Sequence, residues 1–375
     1  MCNNIYFFAN FGNMRKLPFG GGEVGNRRTL AFLKESSYNV IPIPKYSRVK
    51  NHSILNLLLL GLKILWNITQ YCIILFLGKR QNSVVHISGF YGQMIYFEQI
   101  LISVAKLCGY KVIYEMRGGG AYKFYSEGSS MYRSTFRKVI NKSDEIFSQG
   151  MENVSLIKKL SPNIRIFYYP NCVTNDFYPA ACPIRSIDRI KLFYFGRLTP
   201  SKHIDVVVDT LRVLRLKFDN VYLDIVGDYI DDKYKQEIES IICQSDLKEF
   251  IRIFPACGGD ELKRHLANEH FYIFPTTEQR EGHSNALTEA MSWGLIPIAT
   301  AQGFNRSVID DDSLIVQSMN GSAFAEIIER IINDNQINIY SKKMYDRVMN
   351  NYTDTIVRKQ LLKEYSAMFK RFFGS

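Results

Sequence analysis

The chain has 375 residues, and its 47 lysines and arginines outnumber its 36 aspartates and glutamates, which gives a formal net charge of +11. At roughly 150 residues per domain, this length predicts two domains, each large enough to bury its own core. A composition of 46% hydrophobic and 22% charged residues excludes a disordered or fibrous chain. The excess positive charge indicates an anionic partner, but it does not distinguish nucleic acid, a phosphorylated substrate and an anionic membrane.

Cysteine usage and the amino terminus predict a cytoplasmic protein. The seven cysteines are odd in number and form no Cys-x-x-Cys pair, which is typical of reduced thiols and not of a disulfide framework. The opening residues, MCNNIYFFAN, lack the basic start and the long apolar run of a secretory signal. We therefore expect the chain in the cytoplasm.

Short apolar runs of strand length alternate with helical segments along most of the chain. In the first half the runs are Ile5 to Ala9, Val40 to Ile43, Val84 to Ile87, Lys111 to Glu115, Glu145 to Phe147 and Ile164 to Phe167. In the second half they are Leu192 to Phe195, Tyr222 to Val226, Ile251 to Phe254, Phe271 to Phe274 and Ile296 to Ala299. The segments between them, of roughly 10 to 25 residues, have the length of helices in βαβ units. The pattern predicts an α/β fold in which each half forms its own doubly wound parallel sheet.

Two apolar stretches after the second strand, Ile54 to Leu65 and Tyr71 to Leu77, are hydrophobic enough to suggest a membrane span. Polar side chains interrupt them near the centre, at Lys63, Asn67, Thr69 and Gln70. Because a charged residue in the middle of a span is costly, we expect a helix outside the bilayer core. A buried helix that covers the sheet is one explanation of this segment.

A break in the pattern between Pro170 and Asp188 predicts the domain boundary, because this stretch is rich in proline, asparagine and small residues and lacks helical periodicity. We place the amino-terminal domain at residues 1–175 and the carboxyl-terminal domain at residues 176–354. Two helical stretches, Ser341 to Asn350 and Thr355 to Phe373, end the chain. We expect the last helix, about residues 355–375, to pack either on the carboxyl-terminal domain or back on the amino-terminal domain.

Ligands of open parallel sheets bind beyond the carboxyl ends of the strands, so the loops that follow strands are the candidate sites. The loop after the first strand, Pro18 to Arg28, holds the cluster Gly20, Gly21 and Gly22. Glycines let a backbone approach a ligand closely, and a helix starting near Val24 would aim free amides at an anion. An ordinary glycine-containing loop is the alternative.

The loop after the strand Leu192 to Phe195 carries two cations. Gly196 permits a tight exit from the strand, and Arg197 and Lys202 lie just before a helix predicted over His203 to Leu216. A planar fork of donors beside a mobile point charge suits a diphosphate. The alternative is a solvated basic loop.

The loop after Phe271 to Phe274 carries two carboxylates, Glu281 and Glu289, around a turn that ends in Ser284 and Asn285. Either residue of that pair is a suitable N-cap for a helix that Gly294 ends. The carboxylates are spaced to accept hydrogen bonds from hydroxyls at separate ends of one ligand, while the amides of the capped turn face its phosphates. The alternative is an ordinary helix start with nearby acids.

Together, the second and third loops read G-R-L-x-x-x-K and, about 80 residues later, E-G-x-S-N-x-L-x-E-A-M-x-x-G-x-I-P-I. This arrangement resembles the carboxyl-terminal domain of retaining GT-B glycosyltransferases of family GT4, the group 1 glycosyl transferases. The resemblance covers about Lys191 to Val316 and is looser in the first half, through GGGEVGNR, VVHISG and the linker YPNCV. It implies two Rossmann-like domains facing across a cleft, with a nucleotide-sugar bound mainly to the second.

The resemblance also implies roles for individual residues. Glu289 would bind the ribose of the nucleotide and Glu281 the hydroxyls of the donor sugar. Arg197 and Lys202 would neutralise the diphosphate. Backbone groups would complete the donor site from Gly196, from the glycine loop at Gly20, Gly21 and Gly22, and from the turn Gly282, His283, Ser284 and Asn285.

Two fixed cations and a helix start stabilise the negative charge that develops on a leaving diphosphate, so we expect no metal and no cofactor. The one formal DxD cluster, Asp310 to Asp312, is predicted to be a solvated turn before a strand at Ser313 to Val316.

The chain departs from the family pattern in several places. His283-Ser284 replaces the usual Phe-Gly, and Lys202-His203 replaces Lys-Gly. A later GGxxE element loses its acid and reads Gly303 to Ser307. Arg117 stands where many relatives carry a histidine beside the donor sugar, and we expect it to contact a donor phosphate or an acceptor.

These observations predict a cytoplasmic, metal-independent, retaining glycosyltransferase. It would move a hexose-type sugar from a nucleotide-diphosphate sugar, a UDP-sugar by expectation, to a glycan or lipid-linked acceptor in capsule, O-antigen or exopolysaccharide synthesis. The alternatives are a nucleotide-sugar epimerase of the same fold and a non-enzymatic protein that binds anionic ligands. A nucleic-acid partner is disfavoured because no basic run, RNP-like motif or zinc-ligand spacing is present. A dinucleotide dehydrogenase is disfavoured because GxGxxG with its acidic partner is absent.

A lipid-linked acceptor gives the apolar segment at residues 53–78 a second explanation. A helix there, flanked by the cations Lys45, Arg48, Lys50, Lys79 and Arg80, would rest on the inner face of the plasma membrane.

Overall fold

The computed structural model of the chain describes residues 3–16, 20–45, 54–89 and 91–374; the side chains at positions 54, 55 and 57 lie outside this description. The chain divides into two compact units, residues 1–170 with 358–375, and residues 171–357. Of the residues named above, Pro18, Arg48 and Lys50 lie outside the described part.

The first unit contains a six-stranded parallel sheet with the strand order β2-β1-β3-β4-β5-β6. Its strands are β1 (Asn4–Ala9), β2 (Asn39–Pro44), β3 (Ser83–Gly89), β4 (Lys111–Met116), β5 (Glu145–Ser148) and β6 (Arg165–Tyr168). Its helices are α1 (Gly21–Lys34), α2 (Ile54–Leu77), α3 (Ile95–Leu107), α4 (Ala121–Glu127), α5 (Ser130–Lys142) and α6 (Glu152–Leu160). Strands β1 and β3 are buried throughout, so they form the centre of the core.

The second unit repeats this architecture with the strand order β12-β11-β10-β7-β8-β9. Its strands are β7 (Ile190–Phe195), β8 (Val221–Val226), β9 (Ile251–Phe254), β10 (Phe271–Phe274), β11 (Ile296–Thr300) and β12 (Ile315–Val316). Its helices are α7 (Ile204–Arg215), α8 (Asp232–Gln244), α9 (Gly259–Leu266), α10 (Asn285–Ser292), α11 (Asn305–Ile309), α12 (Gly321–Asn333) and α13 (Ile337–Asn351), and α14 (Asp354–Phe373) ends the chain. Short 3₁₀ turns lie at Pro200–Lys202, Lys248–Phe250 and Asp312–Leu314.

The predicted fold class is confirmed, because both sheets are parallel and all paired strands are joined through helical connections. Several element boundaries differ from the prediction by one to four residues. Helix α1 begins at Gly21 and not near Val24. The strand predicted from Ser313 begins only at Ile315, because the Asp311 side chain caps the 3₁₀ turn at Asp312–Leu314.

The strand orders fix where ligand crevices are expected. In the first unit β1 lies between β2 and β3, and in the second unit β7 lies between β10 and β8. Consecutive connections leave these central strands in opposite directions, so crevices open beyond the carboxyl ends of β1 and β7.

The last helix is tied to the first unit by charged and hydrogen-bonded contacts. Arg165 on β6 donates to both carboxylate oxygens of Glu364, at 2.9 and 3.1 Å. Arg371 bridges Glu364 and Glu145, with both N–O distances 2.8 Å. Residues 358–373 of α14 therefore close one side of the first sheet.

Helix α2 packs against the first unit along one side only. Tyr71 and Leu75 are fully buried, and the Tyr71 hydroxyl donates to the carbonyl of Leu101 on α3 at 3.1 Å. On the opposite side, Leu62, Trp66 and Phe76 are 58–63% exposed. The buried-helix explanation is therefore wrong for the outward side. By length and composition, Leu58–Leu77 is also long and apolar enough to cross a bilayer, with a mean hydropathy of 1.6.

Candidate active site in the second unit

The loop after β7 is held against the loop after β8. Gly196 has a φ of +138°, and a Cβ added at Gly227 would collide with the Gly196 carbonyl oxygen. The Leu198 amide donates to the Asp228 carbonyl at 3.0 Å. Two glycines thus allow the two backbones to touch, which fixes Arg197 at the carboxyl edge of the sheet.

A cavity of about 360 Å³ opens at this edge. It brings together four of the predicted donor-binding residues, namely Gly196, Arg197, Asn285 and Glu289. Its other walls come from loops that sequence reasoning did not single out, and these include Gly227, Asp228, Ala256 and Cys257. The positional signal was available, because these residues directly follow β8 and β9 and parallel sheets bind ligands at such loops.

Helix α10 begins at this cavity. The Ser284 side chain accepts from the Leu287 amide and is the N-cap, and Gly294, with a φ of +73°, follows the end of the helix. Both predicted signals are therefore confirmed. Asn285, the first helical residue, lines the cavity, so the positive end of the helix dipole faces the space where an anion is expected.

Lys202 and Glu281 form an ion pair beside Thr276 at the carboxyl end of β10. The Lys202 ammonium donates to a Glu281 oxygen and, at 3.1 Å, to the Thr276 hydroxyl, and it lies 5.0 Å from the centre of the Phe274 ring. The two charged side chains are 14% and 12% exposed. The sequence predicted that Lys202 binds the diphosphate and that Glu281 binds the donor sugar. The structure also pairs these two side chains with each other.

The β11 loop supports the loop that carries Glu281. A Cβ at Gly303, whose φ is +63°, would collide with the Glu281 carbonyl, and Gln302 donates to the Glu278 carbonyl at 3.0 Å. The Thr300 hydroxyl donates to the Thr276 carbonyl at 2.8 Å. The segment that replaces the GGxxE element therefore has a structural role, because Gly303 permits this close approach.

His203 occupies a backbone conformation that favours glycine. Its φ is +48°, its Nε2 lies 2.9 Å from the Thr277 hydroxyl, and it immediately precedes α7. A left-handed conformation costs a non-glycine residue about 1 kcal/mol. The replacement of the family's glycine thus adds strain at the loop and is accompanied by one side-chain contact to the neighbouring loop.

His283 is 2% exposed and packs inside the second unit. Its Nε2 lies 2.7 Å from the Thr288 hydroxyl, its ring meets the Tyr352 ring edge to face, and its carbonyl accepts from Asn171. We considered two roles for this histidine, contact with the sugar and packing in the interior. The observed contacts are those of a packed interior side chain.

The two candidate carboxylates lie close enough to a buried tyrosine to affect its pKa. Burial, together with the charges of Tyr194, Glu281 and Glu289, raises the pKa of Tyr272 well above its ordinary value. Tyr272 therefore stays a neutral hydrogen-bond donor, and its hydroxyl donates to the Phe195 carbonyl at 3.2 Å. Arg197 is exposed and has no ion-pair partner among the described residues, so its charge is available to a ligand.

The glycine loop of the first unit carries an acid of its own. Gly20 is the N-cap of α1, and the first turn contains Gly21, Gly22 and the buried carboxylate of Glu23. A Cβ at Gly12, whose φ is +61°, would collide with that carboxylate. Because Glu23 already places negative charge at the positive end of α1, it competes there with any phosphate.

Arg117 belongs to a buried network in the first unit. Its guanidinium lies 2.7 Å from Glu115 and donates to the Thr29 hydroxyl at 3.1 Å. Glu115 also lies 3.1 Å from His86, whose Nδ1 lies 2.6 Å from the Tyr365 hydroxyl. Burial acts to raise the pKa of Glu115, but Arg117 and His86 outweigh it and the pKa is lowered. Arg117 is 5% exposed, and its contact with a donor or acceptor stays a prediction.

The acidic turn at Asp310 to Asp312 is held by cations. Asp310 pairs with Arg347 at 3.0 Å, Asp311 with Lys343 at 2.7 Å, and Asp312 with Arg306 at 3.2 Å. Within the part of the chain that the structure describes, no three histidine, cysteine or acidic side chains are grouped to hold a metal.

Residues 185–351 match the family described as Glycosyl transferases group 1. The chain is 24% identical over 250 residues to a phosphatidylinositol N-acetylglucosaminyltransferase subunit from Arabidopsis thaliana, covering 64% of this chain and 54% of that protein. It is 26% identical over 198 residues to the capsular polysaccharide biosynthesis glycosyltransferase CapM of Staphylococcus aureus, covering 50% of this chain and 48% of that protein. The chain thus spans about half the length of these curated relatives.

Two solved structures share the fold across nearly the whole chain. Sucrose-phosphate synthase from Thermosynechococcus elongatus superposes with a TM-score of 0.73 at 14% identity, covering 98% of this chain and all (100%) of that one. Anabaena HepE in complex with UDP superposes with a TM-score of 0.68 at 12% identity, covering 97% of this chain and 100% of that one.

The two parallel-sheet units and the likeness to these solved structures define the class of the fold, which is GT-B. More particularly, residues 185–351 match the group 1 glycosyl transferases, the family that the motifs from Arg197 to Glu289 resemble.

Proposed function

We propose that the chain is a retaining, metal-independent hexosyltransferase that uses a UDP-sugar as donor. The observation that carries this proposal is the cavity in which Arg197, Asn285 and Glu289 meet at the carboxyl ends of β7 and β8. A cation, a helix start and a carboxylate are the groups that a diphosphate and a ribose require. The complex of HepE with UDP supports the choice of nucleotide.

The chemistry follows from the charges at this edge. The bond between the anomeric carbon and the diphosphate oxygen breaks, its electron pair goes to the diphosphate, and a bond forms to the acceptor oxygen. Arg197, Lys202 and the start of α10 stabilise the charge that develops on the leaving diphosphate. Attack from the face of the leaving group retains the configuration, and the leaving phosphate takes the proton of the acceptor hydroxyl. This scheme assigns no protein nucleophile and needs no metal.

The proposed acceptor is a glycan or a lipid-linked glycan of a cell-surface polysaccharide, in a protein that works in the cytoplasm at the inner face of the plasma membrane. The likeness to CapM supports the polysaccharide, and the likeness to a protein of phosphatidylinositol N-acetylglucosaminyltransferase supports a lipid-borne acceptor.

Thermal denaturation with UDP-, GDP- and ADP-sugars tests the donor site, because a ligand that binds only the folded state raises its stability. We expect UDP-sugars to raise the midpoint of the wild type and not of Arg197→Gln. The exposed Lys248→Gln in the same unit is the matched control. Equal stabilisation of Arg197→Gln and the control would refute the site.

A nucleotide-sugar epimerase is separated from a transferase by incubation with the donor alone. An epimerase converts the donor to an isomeric nucleotide sugar, whereas we expect release of free UDP and no isomer. Transfer that is unchanged by EDTA is the expected result for the metal-independent mechanism, and its loss with recovery on adding a divalent cation would overturn that part.

A further inference from the structure

An apolar stripe runs along the outward side of α2. It consists of Leu58, Leu62, Leu65, Trp66, Ile73 and Phe76, each between 51% and 63% exposed. Their spacing of three, four or seven residues places them on one face of the helix. We call this set the outward stripe. Contiguous apolar surface of this kind marks an interaction site, because single exposed apolar residues are normal but an ordered row of them is not.

The inward side of α2 keeps the stripe facing outward. Asn67, Tyr71 and Leu75 are buried against the first unit, and the Tyr110 hydroxyl donates to the Leu75 carbonyl at 2.9 Å. A helix that crossed a bilayer would have to leave these contacts. The same helix resting on a bilayer surface keeps all of them, which favours a helix lying in the interface plane.

The charges beside the stripe match an anionic surface. Helix α2 contains no aspartate or glutamate, and Lys63, Lys79 and Arg80 are exposed on it or just after it. Of the other cations that the sequence led us to expect beside this helix, Lys45 is excluded, because it is 1% exposed and pairs with Glu98 at 3.2 Å.

A second structural feature adjoins the stripe. A cavity of about 870 Å³ lies between α2, α1 and the loop after β1. Its charged lining consists of three cations, Arg15, Lys34 and Lys63, which outnumber the one acid, the buried Glu23. The three cationic side chains are exposed and have no ion-pair partner among the described residues. We call them the cation triad; Lys63 belongs both to the cavity and to the helix that carries the stripe.

The wall of this cavity is held in place. The Arg27 guanidinium donates to the carbonyls of Phe11, Asn13 and Lys16, each at 2.8 Å. A loop pinned at three carbonyls loses little freedom when a ligand binds, so the position of Arg15 on it is largely set beforehand.

We propose that the outward stripe docks on the surface of an anionic bilayer and that the cation triad receives the phosphate head of a lipid in that bilayer. Such a lipid accounts for both features. Its anionic head suits the cation triad, and its chains lie in the apolar layer that the outward stripe enters. That this lipid is the acceptor of the transfer rests on the proposed function, whereas the docking itself does not.

The docking is tested by co-sedimentation of the full chain with phosphatidylglycerol and phosphatidylcholine vesicles. We expect binding to phosphatidylglycerol that weakens on the order of a hundredfold in Leu62→Ser/Phe76→Ser, since two apolar side chains leave the interface. The control Leu107→Ser/Leu216→Ser removes two leucines that are 87% and 75% exposed elsewhere. Brominated acyl chains should quench wild-type fluorescence and not that of Trp66→Phe. Equal binding of the two double variants overturns the docking, as does self-association through the stripe without vesicle binding.

The head-group site is tested with vesicles that contain a long-chain polyprenyl phosphate or the matching polyprenol. The phosphate should tighten wild-type binding, and Arg15→Gln/Lys34→Gln/Lys63→Gln should lose this gain by roughly fivefold per cation. The control Lys123→Gln/Lys138→Gln/Lys159→Gln removes the same charge from exposed positions of the first unit. Identical behaviour of the two triple variants overturns the site, and full competition by inorganic diphosphate overturns its assignment to a lipid. UDP-sugar stabilisation measured on every variant separates these outcomes from failure of the donor site.

Discussion

The pairing of Lys202 with Glu281 allows a test that separates a structural role from a functional one. In the structure the ammonium is shared between Glu281 and Thr276, whereas the proposed reaction uses it on the diphosphate. We consider Lys202→Met, Glu281→Gln and the double variant. If the pair serves only to hold the loops, removing both partners should restore what each single change removes.

The expected magnitudes follow from burial. The side chains are 14% and 12% exposed, so the pair lies between a fully buried one, whose disruption costs about 3–5 kcal/mol, and an exposed one that contributes about 1 kcal/mol or less. We expect Lys202→Met to lower the free energy of unfolding by about 2 kcal/mol, because Glu281 keeps only Thr276 as a partner. The double variant should recover most of this loss. Transfer should fall by about 10²–10³-fold in Lys202→Met, since a charge that stabilises the leaving group is lost.

The assay is transfer from a UDP-sugar, measured beside urea denaturation of each variant. We expect the double variant to unfold close to the wild type and to remain as inactive as the worse single variant. If activity returns together with stability, Lys202 and Glu281 are a structural pair and the proposed catalytic roles are wrong.

Three further predictions concern stability and the donor cavity. Burial and Arg185 lower the pKa of His270 to about 4, so its stabilising contribution is present above about pH 6.5 and is lost as the pH falls toward 4; between pH 7.5 and 5 the wild type should lose about 2 kcal/mol more than His270→Gln. The measurement is unfolding followed by the fluorescence of Trp293, in a Trp66→Phe background so that the signal comes from the second unit alone. Gly227→Ala should displace the β7 loop and weaken stabilisation by UDP-sugars about tenfold, at a cost of about 1–3 kcal/mol, measured by thermal denaturation with titrated ligand. Glu115→Gln should cost about 3–5 kcal/mol because it leaves a buried guanidinium unpaired; a drop in the thermal midpoint no larger than that of an exposed substitution would contradict this.

The parts of the site that sequence reasoning found are those with a local signal. Arg197 follows a strand, Ser284 caps a helix and Glu289 lies one turn into that helix. The position of a residue after a parallel strand predicts the edge of the sheet at which it lies. The N-cap at Ser284 needs only its own turn to be recognised. Such residues are predictable because local conformation and strand order together determine their placement.

What sequence reasoning missed is the set of contacts between segments that are distant in the chain or buried in the fold. Gly227 is needed because the Gly196 backbone passes next to it, and Gly303 because Glu281 does. Arg117 resembled a ligand-binding residue in its position after β4, but Glu115 two residues earlier pairs with it. Neither a close approach of backbones nor a buried ion pair between strand-end residues can be read from local spacing, since both depend on tertiary packing.

Helix α2 shows why hydropathy could not decide between a buried helix and a surface helix. Apolar side chains lie on every side of this helix, so the alternation of apolar and polar residues that normally identifies the solvent-facing side is weak. Packing supplies the missing asymmetry: Tyr71 and Leu75 fill the core, while Leu62 and Phe76 remain outside with Lys63 beside them. The outward side chains of α2 are apolar although the core does not need them, and exposing them to water costs free energy. Burial against a bilayer or another apolar surface removes this cost, which is the physical reason to expect a bilayer at this helix.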